Sequence, residues 1–187
     1  MPLPGCPPLP GGALWVYAYG SLMWDPGFEF VRSMPALLRG YHRAFCVYSE
    51  RYRGTPERPG LVLGLDRGGC CRGIAFLVPE TDTRGALEKL WAREMTRAVY
   101  RPRLVPVDTG EERVLALAFV ANREHPSYAG RLDLEAIART ITACSGARGP
   151  NADYLFNTLR HLEALGISER RLDAVRYAVQ ALQRPRR

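Results

Sequence analysis

The order of the apolar patterns along the chain constrains its fold more than any other feature of the sequence. Alternating runs rich in β-branched and aromatic residues, which predict strands, fill the first two-thirds. Helical patterns fill the last third, and one further helical pattern stands among the strands. This order lacks the regular strand–helix alternation of a doubly wound parallel sheet. It predicts an α+β (mixed α/β) protein whose mixed sheet curls into a small barrel, with helices packed outside.

Turn residues divide the chain into predicted elements. We expect strands over residues 14–19, 35–49 (as one strand or two), 61–65, 72–78, 105–107 and 114–120. The turn between the third and fourth of these is assigned to Gly68 and Gly69. The inserted helix takes its N-cap from Thr81, Asp82 or Thr83. The helical C-terminal third is predicted as residues 132–144, 151–165 and 168–183.

A glutamate stands in the apolar stripe of the inserted helix. The apolar positions at i, i+3 and i+4 are Leu87, Leu90 and Trp91. Position i+7 is Glu94, so its carboxyl is expected to point towards the core, where burial raises its pKa. Such a group suits general acid–base chemistry near neutrality. In the plainer interpretation, the helix ends near Ala92 and Glu94 turns outwards or pairs with Arg93 or Arg97.

A short loop, Tyr19-Gly20-Ser21-Leu22, follows the first predicted strand. Glycine lets backbone amides approach a ligand closely, and serine adds a hydroxyl, so such a loop can hold a carboxylate or an oxyanion. Taken alone, the same tetrapeptide is more often only a turn. Because the chain has no Gly-x-Ser-x-Gly motif, Ser21 is not predicted to be a hydrolase nucleophile.

The charge of the chain argues weakly for any particular partner. Its formal net charge is +7, but Lys89 is the only lysine and the arginines are scattered from Arg32 to Arg187. Nucleic-acid binding would instead cluster the basic residues on one face or motif, so we predict none. A basic surface can still attract small anionic substrates.

The cysteines and histidines predict neither a disulfide framework nor a metal site. The five cysteines are Cys6, Cys46, Cys70, Cys71 and Cys144. This odd count favours free thiols in a reducing cytosol. The three histidines, His42, His125 and His161, stand apart without ligand spacing, so we predict no zinc site.

The ends of the chain suggest tails around a single domain. Residues 1–12 are rich in proline and glycine and lack the pattern of a signal peptide, so they are predicted to be a flexible tail. Residues 13–183 are predicted to form one domain, and residues 184–187 a basic tail. No apolar run approaches the roughly 20 residues that cross a bilayer. We therefore expect a cytoplasmic protein without membrane association.

Several segments together resemble the ChaC family. They are residues 16–28 (VYAYGSLMWDPGF), 40–43 (GYHR), 53–56 (RGTP), Gly73, 91–95 (WAREM) with Tyr100, and 145–155 (SGARGPNADYL). The resemblance spans nearly the whole chain after residue 12, in the family's order. The Arg-Glu-Met form resembles the family's bacterial branch.

The resemblance implies a fold, an activity and roles for particular residues. The implied fold is the γ-glutamylcyclotransferase-like small mixed β-barrel with packed helices. The implied enzyme is a glutathione-specific γ-glutamylcyclotransferase, a carbon–nitrogen lyase that degrades glutathione to 5-oxoproline and Cys-Gly. Glu94 matches the catalytic acid–base residue, and the match for the pocket-lining tyrosine is Tyr100. The residues that match the loop gripping the γ-glutamyl group are Tyr19, Gly20, Ser21 and Leu22. No cofactor, metal or obligatory protein partner is implied.

Other functions stay open on the sequence alone. The same glutamate and loop would serve a cyclotransferase for other γ-glutamyl-amino acids or γ-glutamyl-amines. A non-catalytic basic binding protein, including one that binds RNA, is an alternative from a different class. For the anionic glycine end of glutathione, we hypothesise that Arg43, Arg51 or Arg53 contributes, against the simpler interpretation that they are solvated loop arginines.

Overall fold

The computed structural model describes residues 3–184, and the predicted helices and strands all occur in it. Two predicted strands, 61–65 and 72–78, turn out to be parts of one strand. The elements are β1 (Leu14–Ala18), β2 (Arg32–Ser49), β3 (Gly60–Val78), α1 (Thr83–Glu94), β4 (Tyr100–Asp108), β5 (Arg113–Ala121), α2 (Leu134–Ala143), β6 (Ser145–Gly146), β7 (Gly149–Pro150), α3 (Asn151–Ala164) and α4 (Arg170–Gln183).

The glycines inside β2 and β3 bend these strands without ending them. Gly68 and Gly69 have φ values of 98° and 71°, a region that side chains rarely adopt. The prediction of a turn at these glycines between two separate strands was therefore wrong, because β3 runs through them as one strand. Gly40 has a φ of 85° in β2, which runs as one strand.

Five strands close into a barrel in the order β1-β3-β2-β4-β5. Closure is completed where β1 pairs in parallel with β5, while β1–β3, β2–β4 and β4–β5 are antiparallel. Strand alternation sends every second side chain into the interior. The buried interior residues include Tyr17, Leu38, Leu65, Ala75, Val105, Val107, Ala116, Ala118 and Val120. The predicted mixed sheet curled into a small barrel is confirmed.

Close backbone contact between β1 and β3 depends on Gly73. A Cβ added at Gly73 would lie 2.2 Å from the carbonyl oxygen of Ala18 and 2.8 Å from the hydroxyl of Tyr17. That hydroxyl donates a hydrogen bond to the carbonyl of Cys71 at 2.8 Å. Tyr17 is fully buried, so its ring cannot move aside for a side chain at position 73. The close approach at Gly73 therefore holds the end of β1 against β3.

Helix α1 packs its apolar face on β5. The Trp91 ring meets Phe119 edge-on, with ring centroids 5.6 Å apart. Its indole nitrogen donates to the carbonyl of Pro4 at 2.9 Å, which brings in a residue of the predicted N-terminal tail. These contacts fix the rotation of α1 about its axis, and therefore the direction in which its last residue points.

Backbone contacts divide the chain into two units. One comprises the chain up to Arg43 together with Leu65–His125, and it contains the barrel's interior residues. The other comprises Ala44–Gly64 and the chain from Pro126 onwards. A single domain over residues 13–183 stays a prediction. Of the predicted basic tail, only Arg184 lies within the described residues.

The second unit has its own buried polar anchor. Asn151, which is fully buried, accepts a hydrogen bond from the amide of Leu61 and donates to its carbonyl, at 2.6 and 2.7 Å. Arg53 donates to the carbonyls of Arg148 and Pro150 at 2.6 and 3.1 Å. These contacts give the segments 53–56 and 145–155 a structural role, because they hold the β6–β7 hairpin against the loop between β2 and β3.

Replacing Gly73 by alanine should destabilise the protein by about 2 kcal/mol or more, because the new methyl overlaps backbone and a buried ring. Gly85→Ala is the matched control: Gly85 is exposed in α1 with nothing within 4 Å of an added Cβ. It should be neutral or stabilising by up to about 1 kcal/mol. Urea unfolding of both variants measures the difference, and equal free energies of unfolding would contradict the contact.

Candidate active site

The loop after β1 is a single turn of 3₁₀ helix, Ser21–Met23. It starts directly after Gly20 and is closed by hydrogen bonds from the amide of Met23 to the carbonyl of Gly20 and from that of Asp25 to the carbonyl of Ser21, both 2.9 Å. Leu22 and Met23 are buried and anchor the turn, while Gly20 and Ser21 are partly exposed. The first amides of such a turn have no acceptor within it, so they are available to a ligand.

A buried arginine holds the start of this loop. The Arg43 side chain is 2% exposed and donates to the carbonyls of Tyr19 and Arg72, at 2.5 and 2.7 Å. The hypothesis that Arg43 binds a substrate carboxylate is therefore wrong, because its buried guanidinium donates to backbone carbonyls instead. Arg53 is likewise engaged by backbone carbonyls. A role for the exposed Arg51 stays a prediction.

Glu94 is the last residue of α1, and its side chain is 16% exposed. The inward orientation predicted from the helical period is confirmed. The plainer interpretation is wrong in ending the helix near Ala92, but the pairing with Arg93 that it also offered is present. Burial raises the pKa of the Glu94 carboxyl, and the charge of Arg93 lowers it by less. The C-terminal end of a helix also disfavours a negative charge. The carboxyl is therefore held where it can bind and release a proton.

Arg93 connects this carboxyl with the loop. Its Nε lies 3.2 Å from Oε1 of Glu94, and its Nη2 donates to the hydroxyl of Ser21 at 2.7 Å. Its Nη1 donates to the carbonyl of Asp25 at 2.6 Å. One guanidinium thus joins the end of α1 to both ends of the turn. From the sequence, Arg93 was predicted only as a possible ion-pair partner of Glu94, and its contacts with the loop were not predicted.

Tyr100 opens β4 and pairs with Ala121 at the end of β5. The connection from α1 to β4 is held by Asn122, whose amide donates to the carbonyl of Val99 at 2.9 Å and whose side chain donates to that of Ala98 at 3.1 Å. Ala98 has a φ of 50°, unusual for a residue other than glycine. Because β1 and β5 are parallel, Tyr100 lies at the barrel end where the loop begins.

These groups suit proton transfer beside a bound anion. A carboxyl with a raised pKa contacts a guanidinium, and the same guanidinium donates to the serine hydroxyl at the start of the turn. Within residues 3–184, no three or more His, Cys, Asp and Glu side chains are grouped to hold a metal ion. No helix in the described part of the chain is long and apolar enough to cross a membrane.

A family model described as ChaC-like protein matches residues 14–182. The chain belongs to the ChaC family. It is 38% identical over 172 residues to an Escherichia coli K12 protein named glutathione-specific gamma-glutamylcyclotransferase, an alignment that covers 91% of this chain and 74% of the relative. A mouse glutathione-specific gamma-glutamylcyclotransferase 1 is 36% identical over 177 residues, covering 91% of this chain and 79% of that protein. The predicted membership is confirmed, and the bacterial relative is consistent with the bacterial branch.

Solved structures show the same fold. A yeast γ-glutamyl cyclotransferase specific to glutathione superposes with a TM-score of 0.81, covering 92% of this chain and all of the other at 20% identity. At that identity the likeness concerns the fold alone. The γ-glutamylcyclotransferase-like barrel expected from the ChaC segments is therefore confirmed. The roles of the individual residues stay predictions.

Replacing Arg93 by glutamine should raise the pKa of the Glu94 carboxyl further, because the neighbouring positive charge is lost while the burial remains. Titration of the carboxyl ¹³C resonance of Glu94 measures this change. Arg84→Gln is the matched control, since Arg84 is exposed on α1 and pairs with Glu88 instead. An unchanged or lower pKa of Glu94 in the Arg93 variant would show that Arg93 does not act on the carboxyl.

Proposed function

We propose that this ChaC-family protein cyclises the γ-glutamyl group of glutathione, releasing 5-oxoproline and Cys-Gly. The activities named for its relatives support the reaction. The observation that carries it is the contact network in which Arg93 joins the buried Glu94 carboxyl to the Ser21 hydroxyl. A proton-transfer group and a set of hydrogen-bond donors then face one bound group.

The chemistry follows from the protonation state of the substrate. The α-amine of the γ-glutamyl group is mostly protonated at neutral pH and cannot act as a nucleophile. In its ionised form, Glu94 takes that proton, and the freed amine attacks the γ-carbonyl to close a five-membered lactam. As the carbon–nitrogen bond to cysteine breaks, Glu94 returns the proton to the departing amine. The attacking nitrogen loses its second proton as the lactam forms, and the released amine of Cys-Gly gains one in turn. The reaction is intramolecular, so the site mainly has to impose the folded conformation of the substrate.

The loop supplies the binding groups in this proposal. The Ser21 oxygen accepts a hydrogen bond from Arg93, which leaves its own hydrogen available to the substrate. Together with the amides at the start of the turn, it holds the α-carboxylate or the developing oxyanion. Tyr19 and Leu22 are buried beneath the turn and form the base of the loop. Tyr100 is proposed to line the pocket.

The raised pKa of Glu94 means that its ionised form lowers the free energy of unfolding. The folded state keeps the proton to a higher pH than the unfolded chain, so the native carboxyl favours folding most below the unfolded pKa. That stability is lost as the pH rises towards the folded pKa. Once the carboxyl ionises, the buried carboxylate disfavours folding, and an amide in its place relieves this cost.

Replacing Glu94 by glutamine should reduce 5-oxoproline release by about a thousandfold, because no group remains to move the proton. The free energy of unfolding at pH 7.5 should be unchanged or higher, since an uncharged side chain takes the buried position. Mass detection of 5-oxoproline and denaturant unfolding measure the two effects. The control is Glu88→Gln, on the exposed face of the same helix. Near-wild-type turnover by the Glu94 variant would contradict the proposal.

We further propose that the protein acts in the cytoplasm on a small-molecule substrate, without a cofactor, metal, nucleic acid, membrane or obligatory protein partner. The free thiols of the five cysteines support a reducing compartment.

The alternative functions are distinguished by substrate. A cyclotransferase for other γ-glutamyl compounds would turn over γ-Glu-Ala or γ-glutamyl-ε-lysine faster than glutathione. A non-catalytic basic protein would turn over none of them, and RNA binding with a steep salt dependence would favour the nucleic-acid alternative.

A further inference from the structure

A basic groove opens at one end of the barrel. It is a cavity of about 440 Å³ whose lining includes Leu65, Val105 and Val120. These three residues belong to the buried barrel interior, so they form an apolar floor. Four arginines also line the cavity: Arg67, Arg101, Arg103 and Arg123. We call this cavity the arginine groove.

Strand alternation places the arginines over the apolar floor. In β4, the interior position Val105 is preceded on the same face by Arg103 and Arg101. In β3, Arg67 follows Leu65 on the same face. The interior stripes of two strands therefore change from aliphatic residues to arginine where the barrel meets solvent. Arginine at an interior position next to water leaves its charged end at the opening.

The acidic residues nearby neutralise only part of this charge. Arg101 donates to the carboxylate of Glu124 at 2.5 Å, and Arg123 donates to that of Asp66 at 2.8 Å. Arg103 is exposed and has no acidic partner among residues 3–184. Four arginines and two carboxylates leave the groove with a net positive charge. The charge of Arg67 acts on Glu124, whose pKa it helps to lower, whereas Arg103 is exposed and meets a ligand without breaking an ion pair.

The groove and the loop lie at the same end of the barrel. Tyr19, the first residue of the loop, directly follows β1. Ala121 lines the groove and pairs with Tyr100. Since β1 and β5 run parallel, the loop after β1 and the last residues of β5, which border the groove, are at the same end of these strands.

We propose that the arginine groove binds the carboxylate at the end of the peptide substrate remote from the γ-glutamyl group, with Arg103 making the direct contact. This inference rests on the proposed function. In glutathione the remote group is the glycine carboxylate, the one anionic group left once the α-carboxylate is held by the loop. A planar guanidinium binds a carboxylate through two parallel hydrogen bonds.

Such a contact would make the groove a determinant of specificity. A γ-glutamyl-amine has no second carboxylate, and a γ-glutamyl dipeptide has its carboxylate one residue closer to the reacting carbonyl. Neither would place an anion where glutathione does. In this proposal the groove has the role for which Arg43, Arg51 or Arg53 was considered from the sequence.

The test compares glutathione with its C-terminal amide, γ-Glu-Cys-glycinamide, which differs only by the loss of the remote charge. For the wild type, kcat/KM should be about tenfold lower with the amide, mainly through KM. For Arg103→Gln, kcat/KM should fall about tenfold with glutathione and stay unchanged with the amide. The control variant is Arg113→Gln, because Arg113 is exposed on β5 at the opposite end of the barrel; it should retain the wild-type preference.

Calorimetric binding to Glu94→Gln, with and without Arg103→Gln, repeats the comparison without turnover. A tighter affinity for glutathione than for the amide, lost with Arg103→Gln, supports the groove. Equal kcat/KM of the wild type for the two peptides, or an equal loss for both in the Arg103 variant, overturns it while leaving the cyclisation intact. If the wild type releases 5-oxoproline from neither peptide, the proposed function fails, and the binding comparison alone decides whether the groove recognises the carboxylate.

Discussion

The position of the loop depends on one buried guanidinium. Arg43 donates to the carbonyls of Tyr19 and Arg72, on the segments that follow β1 and precede Gly73. A charge at 2% exposure is costly unless its donors are used, so the backbone around it has little freedom. The turn that starts at Gly20 is therefore positioned by the hydrogen bond from Arg43 to the carbonyl of Tyr19.

A second guanidinium, that of Arg93, links the positioned loop to the proposed acid–base residue Glu94. Arg93 contacts Ser21, Asp25 and Glu94 at once, so the loop and the end of α1 are held relative to each other. The same cation favours the ionised form of Glu94, because its charge offsets part of the rise in pKa that burial causes. The two arginines therefore have different tasks: one fixes backbone, and the other couples a side chain to it.

The sequence predicted what depends on local period and turn chemistry. The inward direction of Glu94 followed from its spacing to Trp91 and was confirmed, as was the barrel of mixed strands. The single β3 was not predicted, because a pair of glycines is typical of a turn that ends a strand. Here Gly68 and Gly69 adopt positive φ within a strand that continues past them. The contact from Arg93 to Ser21 spans 72 positions, and no local pattern encodes such a pairing.

The central claim is that the substrate's own amine, and not water, attacks the γ-carbonyl beside Glu94. Incubation of the protein with glutathione in H₂¹⁸O, followed by mass spectrometry of the products, tests this claim most directly. Cyclisation predicts 5-oxoproline without ¹⁸O together with Cys-Gly. Free glutamate carrying ¹⁸O as the first product would show hydrolysis and contradict the account.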